Sequence, residues 1–347
     1  MVKFGIDRVG EYRHLLEGRV ALITAPSGRT ADNRSSIDRL KEVCGLRLRL
    51  APEHGVRGDK GAGELFDTLV YDIQDVGCRY YTFISTLKNA MEDCARANKR
   101  LVVLDRGNPL GGRVEGTTLL PDCRSFVGCW EMPQRYGLTC GEFAQMVNAE
   151  DNIGCDLYVV PCEGLTRSMT FPDWGRLWVM PSLAMPRYET ALLYPGTCLF
   201  EGTNWSEGRG TADPFAIIGA PGVDADRLSD AFNGLKLEGV VSTPVYFVPS
   251  ASKHKGETCG GVHLHITDEK ALRPVELGYR LLDLARTLFP ETFEILPPYS
   301  EGGKPFISLL AGNRELEGDS WSVEEMLQRQ EQDCAAFREK TEKYRLY

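Results

Sequence analysis

Leu46-Arg-Leu-Arg-Leu50 runs straight into Ala51-Pro-Glu-His-Gly-Val-Arg-Gly-Asp59. The first five residues read as a strand. A proline and two glycines then stop it and turn the chain sharply. Glu53 and His54 are thereby presented at a strand's C-terminal end, with Arg57 and Asp59 close behind. In open α/β sheets ligands bind in the crevice at that end, which makes Glu53 the first candidate for chemistry.

The same rhythm extends outward. Val20-Ala-Leu-Ile-Thr24 is a short buried-strand run, followed by a Pro-Ser-Gly turn and a helical stretch from Ser35 to Cys44. Leu69–Ile73, Arg100–Asp105 and Leu157–Val160 are further strands, separated by helical patterns over 82–98 and 139–149. Short apolar strands alternating with helices predict an α/β fold with a parallel sheet covered on both faces. From Glu163 to Pro221 the rhythm lapses into a stretch rich in Pro, Gly and Trp, read as a long irregular, functional segment. Beyond Val223, helices over 224–235, 275–288 and 322–343 and strands over 243–248 and 261–266 predict a smaller α+β domain. The expected division is 1–220 and 221–347.

The 347 residues, 42% hydrophobic, suffice for one large core or two moderate ones. A net charge of -9 without a basic tail, and no basic run interleaved with aromatics, argue against a nucleic-acid partner. An acidic chain is also weakly repelled by anionic membranes, and no apolar run nears the roughly 20 residues of a spanning helix. No export signal is legible at Met1–Arg8. Eleven cysteines without CxxC pairs read as reduced thiols, so a cytoplasmic protein is expected. The cysteines read as core residues, with Cys78, beside Arg79, the one candidate to test for a lowered pKa. His263 and His265 share a strand face but lack a third ligand, so no metal site is expected.

Polar residues gather just after the predicted strands. Glu53, His54 and Arg57 follow one; Asp72 and Asp75 end another; Asp105, Arg106 and Asn108 end a third, with Glu115 beyond. Parallel strand ends point one way, so these clusters should converge. Arg79, Tyr80 and Tyr81 belong to the second cluster. Leu199–Thr211 adds Glu201, Asn204, Glu207 and Arg209, with Trp205 as a stacking face, and Ser252-Lys253-His254 is a possible anion contact. Asp72 and Asp105 have an alternative reading as helix caps, and Arg79 and Arg209 as neutralisers of buried acids. With no GxSxG elbow, GxGxxG turn or P-loop, neither serine hydrolysis nor a nucleotide cofactor is expected. A carboxylate-rich crevice with aromatics and arginines suits acetal hydrolysis, which needs one acid held protonated and a second acting as base or nucleophile, or orienting the substrate's own acetamido group. Glu53, Asp72 and Glu115 are the catalytic candidates; His54, Arg57, Asp75, Arg79, Tyr80, Tyr81, Asp105, Asn108, Glu201, Asn204, Glu207, Arg209, Lys253 and His254 would bind substrate.

Several ordered motifs carry a resemblance. They include Gly5-Ile-Asp-Arg8, Leu22-Ile-Thr-Ala-Pro-Ser-Gly28, Ala51-Pro-Glu-His-Gly55 and Asp72-Ile-Gln-Asp-Val-Gly77. Asp105–Gly112, Leu193–Asn204, Ser206–Thr211 and Ser252–His254 follow in order. On these, almost the whole chain resembles the peptidoglycan exo-β-N-acetylmuramidases, a glycosidase family long catalogued only as a domain of unknown function. The resemblance implies a Rossmann-like catalytic domain and a C-terminal auxiliary domain, with the site in the cleft between them and no cofactor. It implies release of N-acetylmuramic acid from the non-reducing end of cell-wall fragments, so the expected partner is an amino-sugar or muropeptide-derived saccharide. The family's catalytic glutamate falls on Glu53. The lactyl carboxylate of muramic acid would be read by Arg57, Arg79, Arg209 or Lys253. Between Asp59 and Asp72 the chain is shorter than the family pattern by about one strand-plus-helix unit. The alternative is therefore a carbohydrate-binding protein that lost catalysis with that segment; a nucleotide or nicotinamide enzyme is the third reading.

Overall fold

A computed structural model describes residues 1–46, 48–50, 65–318 and 320–347. These fall into two compact units. The first takes Met1–Arg113, Tyr136–Ser182 and Arg338–Tyr347; the second takes Val114–Arg135 and Leu183–Phe337.

The first unit is built on a parallel sheet of β1 (Val20–Thr24), β2 (Leu48–Leu50), β3 (Thr68–Asp72), β4 (Arg100–Leu104) and β5 (Asp156–Val160). Its order is β2-β1-β3-β4-β5. The helices are α1 (Gly5–Arg8), α2 (Ser36–Cys44), α3 (Phe83–Arg96) and α4 (Cys140–Glu150). Their ends follow from local chemistry. The Ser35 hydroxyl accepts from the Asp38 N–H at the start of α2, and Gly45 closes that helix with φ of 66°. Thr139 and Glu142 form a capping box on α4. Register sets Leu22 beside Val70 and Val70 beside Val102. Together with Leu104 and Val160 they share a core with Phe4, Ile6, Leu40 and Trp174. The strand order reverses between β1 and β3, and such a switch point opens a crevice at the strands' C-terminal ends.

The second unit holds an antiparallel sheet of β6 (Ile217–Ala220), β7 (Val240–Phe247) and β8 (Cys259–Ile266), in the order β6-β8-β7. Pro244 is accommodated because β7 is an edge strand. Its helices are α5 (Tyr188–Thr197), α6 (Ala225–Gly234), α7 (Pro274–Leu288), α8 (Phe306–Ala311) and most of α9 (Val323–Thr341). A division at residue 220 would part β6 from the β8 it pairs with. The stretch 163–221 is also less irregular than its composition suggests, since it contains α5 and β6. Nearly every residue of α5 is buried, so no polar face marks it as a helix. Among the described residues no helix is long and apolar enough to cross a membrane.

Candidate active site

The strand-end acids of the first unit do gather at one end of the sheet, but mostly as anchors. Asp72, fully buried, accepts Arg106 Nε at 2.6 Å and Nη2 at 3.0 Å, tying the ends of β3 and β4 together; the Ser36 hydroxyl completes its shell. Asp105 accepts the Thr139 hydroxyl at 2.7 Å, the Gly141 N–H at 2.8 Å and the Tyr347 hydroxyl at 2.7 Å. It fastens the start of α4 and the end of the chain. Asn108 donates to the Leu138 carbonyl and accepts the Leu110 N–H in a local turn. Asp75 accepts the Tyr136 hydroxyl and, at 2.7 Å, the Gly77 N–H, while its Oδ1 is buried with no donor among the described residues. Burial pushes Asp75 and Asp105 each up to about 6. Arg79, Tyr80 and Tyr81 are buried and engaged with neighbours. Cys78 corrects an expectation: burial raises its thiol pKa, overriding Arg79 beside it.

In front of these anchors lies a cavity of about 410 Å³. Ser27, Arg29, Thr30 and Asn33 reach it from the loop after β1, Gln74 from the end of β3 and Arg106 from the end of β4. Phe171, Trp174, Arg176 and Trp178 close the far wall. Trp174 sits edge-on to Phe4 at 5.3 Å and to Phe171 at 5.5 Å. Gly107 permits this, since a Cβ there would lie 2.4 Å from the Trp174 ring. Gln74 spends its amide N–H groups on the Asp75 and Gly107 carbonyls, at 2.9 and 3.0 Å.

The second unit assembles its own cluster. Arg209 donates to Glu201 at 2.8 and 2.5 Å and lies 3.4 Å from Glu207. Lys253 fills its three N–H positions with the Phe200 and Trp205 carbonyls and Glu207, at 2.7, 2.9 and 3.0 Å. His254 bonds the Asn204 carbonyl at 2.7 Å, and the Asn204 amide is held by Thr292 and Glu294. Ser252 and His254, flanking Lys253, have φ of 66° and 54°, strained values that cluster at functional sites. Trp205 is not a stacking face: it is fully buried, with its N–H on the Thr292 carbonyl at 3.1 Å. Glu115 offers no free carboxylate either. Its Oε1 accepts the Val275 and Glu276 N–H groups, at 2.8 and 3.3 Å, capping α7. His263 bonds Asp213 at 2.9 Å and His265 bonds Thr243 at 2.9 Å.

Two family models, the N- and C-terminal domains of exo-β-N-acetylmuramidase NamZ, match residues 64–189 and 192–347. The peptidoglycan β-N-acetylmuramidase NamZ of Bacillus subtilis is 38% identical over 384 aligned positions, covering 100% of this chain and 91% of the relative. The chain belongs to the NamZ family. Two crystal structures of DUF1343 family proteins from Bacteroides fragilis share its fold. One is 33% identical with a TM-score of 0.88, the other 29% identical with a TM-score of 0.81; each alignment covers 100% of this chain and 99% of the other.

In this NamZ family chain Glu53, His54 and Arg57 lie outside the described residues. The other named residues form two separate groups, one in each unit. Sequence reasoning missed the aromatic wall and two of the cavity's arginines, Arg29 and Arg176. The signal was present in Phe171-Pro-Asp-Trp-Gly-Arg-Leu-Trp178, where three aromatics and an arginine fall within eight residues.

Proposed function

We propose that this protein is an exo-acting β-N-acetylmuramidase that releases N-acetylmuramic acid from the non-reducing end of peptidoglycan fragments, with Glu53 as acid/base. The observation that carries this reading is the 38% identity to the Bacillus subtilis β-N-acetylmuramidase across the whole of the chain. The cavity at the sheet's switch point supports it, being aromatic-walled and of small-molecule size. Eleven free cysteines, all but Cys44 and Cys129 buried, support a reducing, cytoplasmic setting and work on imported cell-wall sugars.

The test is release of 4-nitrophenol from its β-N-acetylmuraminide. Wild type turns it over, and Glu53→Gln loses at least about 100-fold in kcat, the scale of a lost general acid. One observation favours a second reading, a sugar-binding protein without catalysis. The 384 aligned positions exceed the 347 residues of this chain, so the relative has segments with no counterpart here. Saturable binding of a muramic-acid disaccharide without turnover would establish that reading instead.

A further inference from the structure

Resting on the muramidase reading, we infer that the cavity at the ends of β1, β3 and β4 is the subsite for the sugar's carboxylate, gripped by Arg106 and Arg176. Both side chains are more than nine-tenths buried, at 3% and 7% exposure. Each is anchored from behind through Nε and Nη2. Arg106 is held by Asp72 and by the Arg29 carbonyl at 3.1 Å. Arg176 is held by the Val2 carbonyl, at 3.2 and 2.9 Å, and by Asp7. Neither Nη1 has an acceptor among the described residues, and both arginines line the same cavity.

The charge balance also points to an anion. Among the described residues Arg29, Arg106 and Arg176 line the cavity and no carboxylate does; with Asp7 and Asp72 behind, these described charges leave one positive charge over. Burial lowers the Arg176 pKa, and the neighbouring Arg106 charge lowers it further. A bound carboxylate relieves that repulsion.

The walls select an anion carried on a ring. The Phe4 ring lies 5.2 Å from the Arg106 guanidinium carbon and 3.8 Å from that of Arg176. Trp178, half-buried in the cavity lining, offers an apolar surface to the C–H side of a pyranose, with buried Trp174 packed behind the wall. Ser27 Oγ and Trp174 Nε1, both buried without a partner among the described residues, belong to the same lining. With Nε and Nη2 spent on anchors, the two Nη1 groups present charged N–H donors that suit the two oxygens of a carboxylate, whereas phosphate sites typically recruit backbone N–H groups at a helix start. This reassigns the role expected for Lys253, whose three donors are already taken by Glu207 and two carbonyls.

Calorimetric titration with N-acetylmuramic acid and N-acetylglucosamine, which differ by the carboxylate-bearing ether, tests the assignment. Wild type binds the acid about tenfold more tightly, equivalent to about 1.4 kcal/mol. In Arg176→Gln that ratio falls toward one while N-acetylglucosamine binding is kept. Equal wild-type affinity for the two sugars, or an unchanged ratio in the variant, overturns the assignment. Should Arg176→Gln fail to fold, tryptophan fluorescence decides. Saturating acid must change the wild-type signal, and Trp178→Phe must lose part of that change; no change in wild type overturns the assignment. Turnover of the nitrophenyl muraminide without carboxylate preference removes this subsite and leaves the muramidase reading intact. Carboxylate-selective binding without turnover does the reverse.

Discussion

Asp75 shows what burial does to one carboxyl group. Its proton is held up to about 6 against an ordinary value of 3.8, although the Tyr136 hydroxyl and the Gly77 N–H both favour the anion. The folded protein therefore keeps this proton between pH 4 and 6, where the unfolded chain has released it. The associated stability is fully present below pH 4 and is lost as pH rises through 6, by on the order of 3 kcal/mol. Asp75→Asn should consequently unfold with a flatter pH profile between 4 and 7 in urea melts. A profile as steep as that of wild type would show that Asp75 is not the source. Single residues of this kind were only partly legible. Asp72 and Asp105 could be seen as strand-end acids because each closes an apolar run. Their partners could not: Arg106 pairs 34 residues away and Tyr347 242 residues away.

Between elements, α5 and α7 pack backbone to backbone. A Cβ on Gly196 would lie 1.9 Å from the Pro274 carbonyl oxygen, and one on Gly278 would lie 2.5 Å from the Gly196 Cα. The backbones touch because neither helix carries a side chain there. Gly278→Ala must push the helices apart and should cost about 1–3 kcal/mol, read as a lower urea midpoint. Gly234→Ala is the matched control. A Cβ at Gly234, the last residue of α6, meets nothing, so that variant should gain a few tenths of a kcal/mol up to about 1. Equal effects at the two sites would refute the packing argument. The strands of the parallel sheet were legible because each is a short apolar run between turns. α5 was not, because Pro195 and burial on every side erase the helical signature.

For the molecule as a whole, the alternation of strand and helix was enough to read an α/β fold, but the way the chain divides was hidden. The first unit recruits Arg338–Tyr347 from the far end of the sequence. There the Tyr347 hydroxyl donates to Asp105 and accepts the Cys162 N–H at 2.7 Å, while the Leu346 N–H reaches Glu142 at 2.8 Å. Tyr347→Phe strips two partners from buried groups and should cost about 2–4 kcal/mol, seen as a lowered urea midpoint. A variant as stable as wild type would mean that the chain end merely rests on the sheet. The order of synthesis makes this tether consequential. Strands β1 to β5 leave the ribosome early, yet the peptide that satisfies Asp105 is translated after residues 1–337. At about 5–20 residues per second the nascent sheet waits on the order of tens of seconds for its last partner. A ribosome stalled in that interval would hold a sheet whose Asp105 has Thr139 and Gly141 but not the Tyr347 hydroxyl, and whose Glu142 has not yet met the Leu346 N–H.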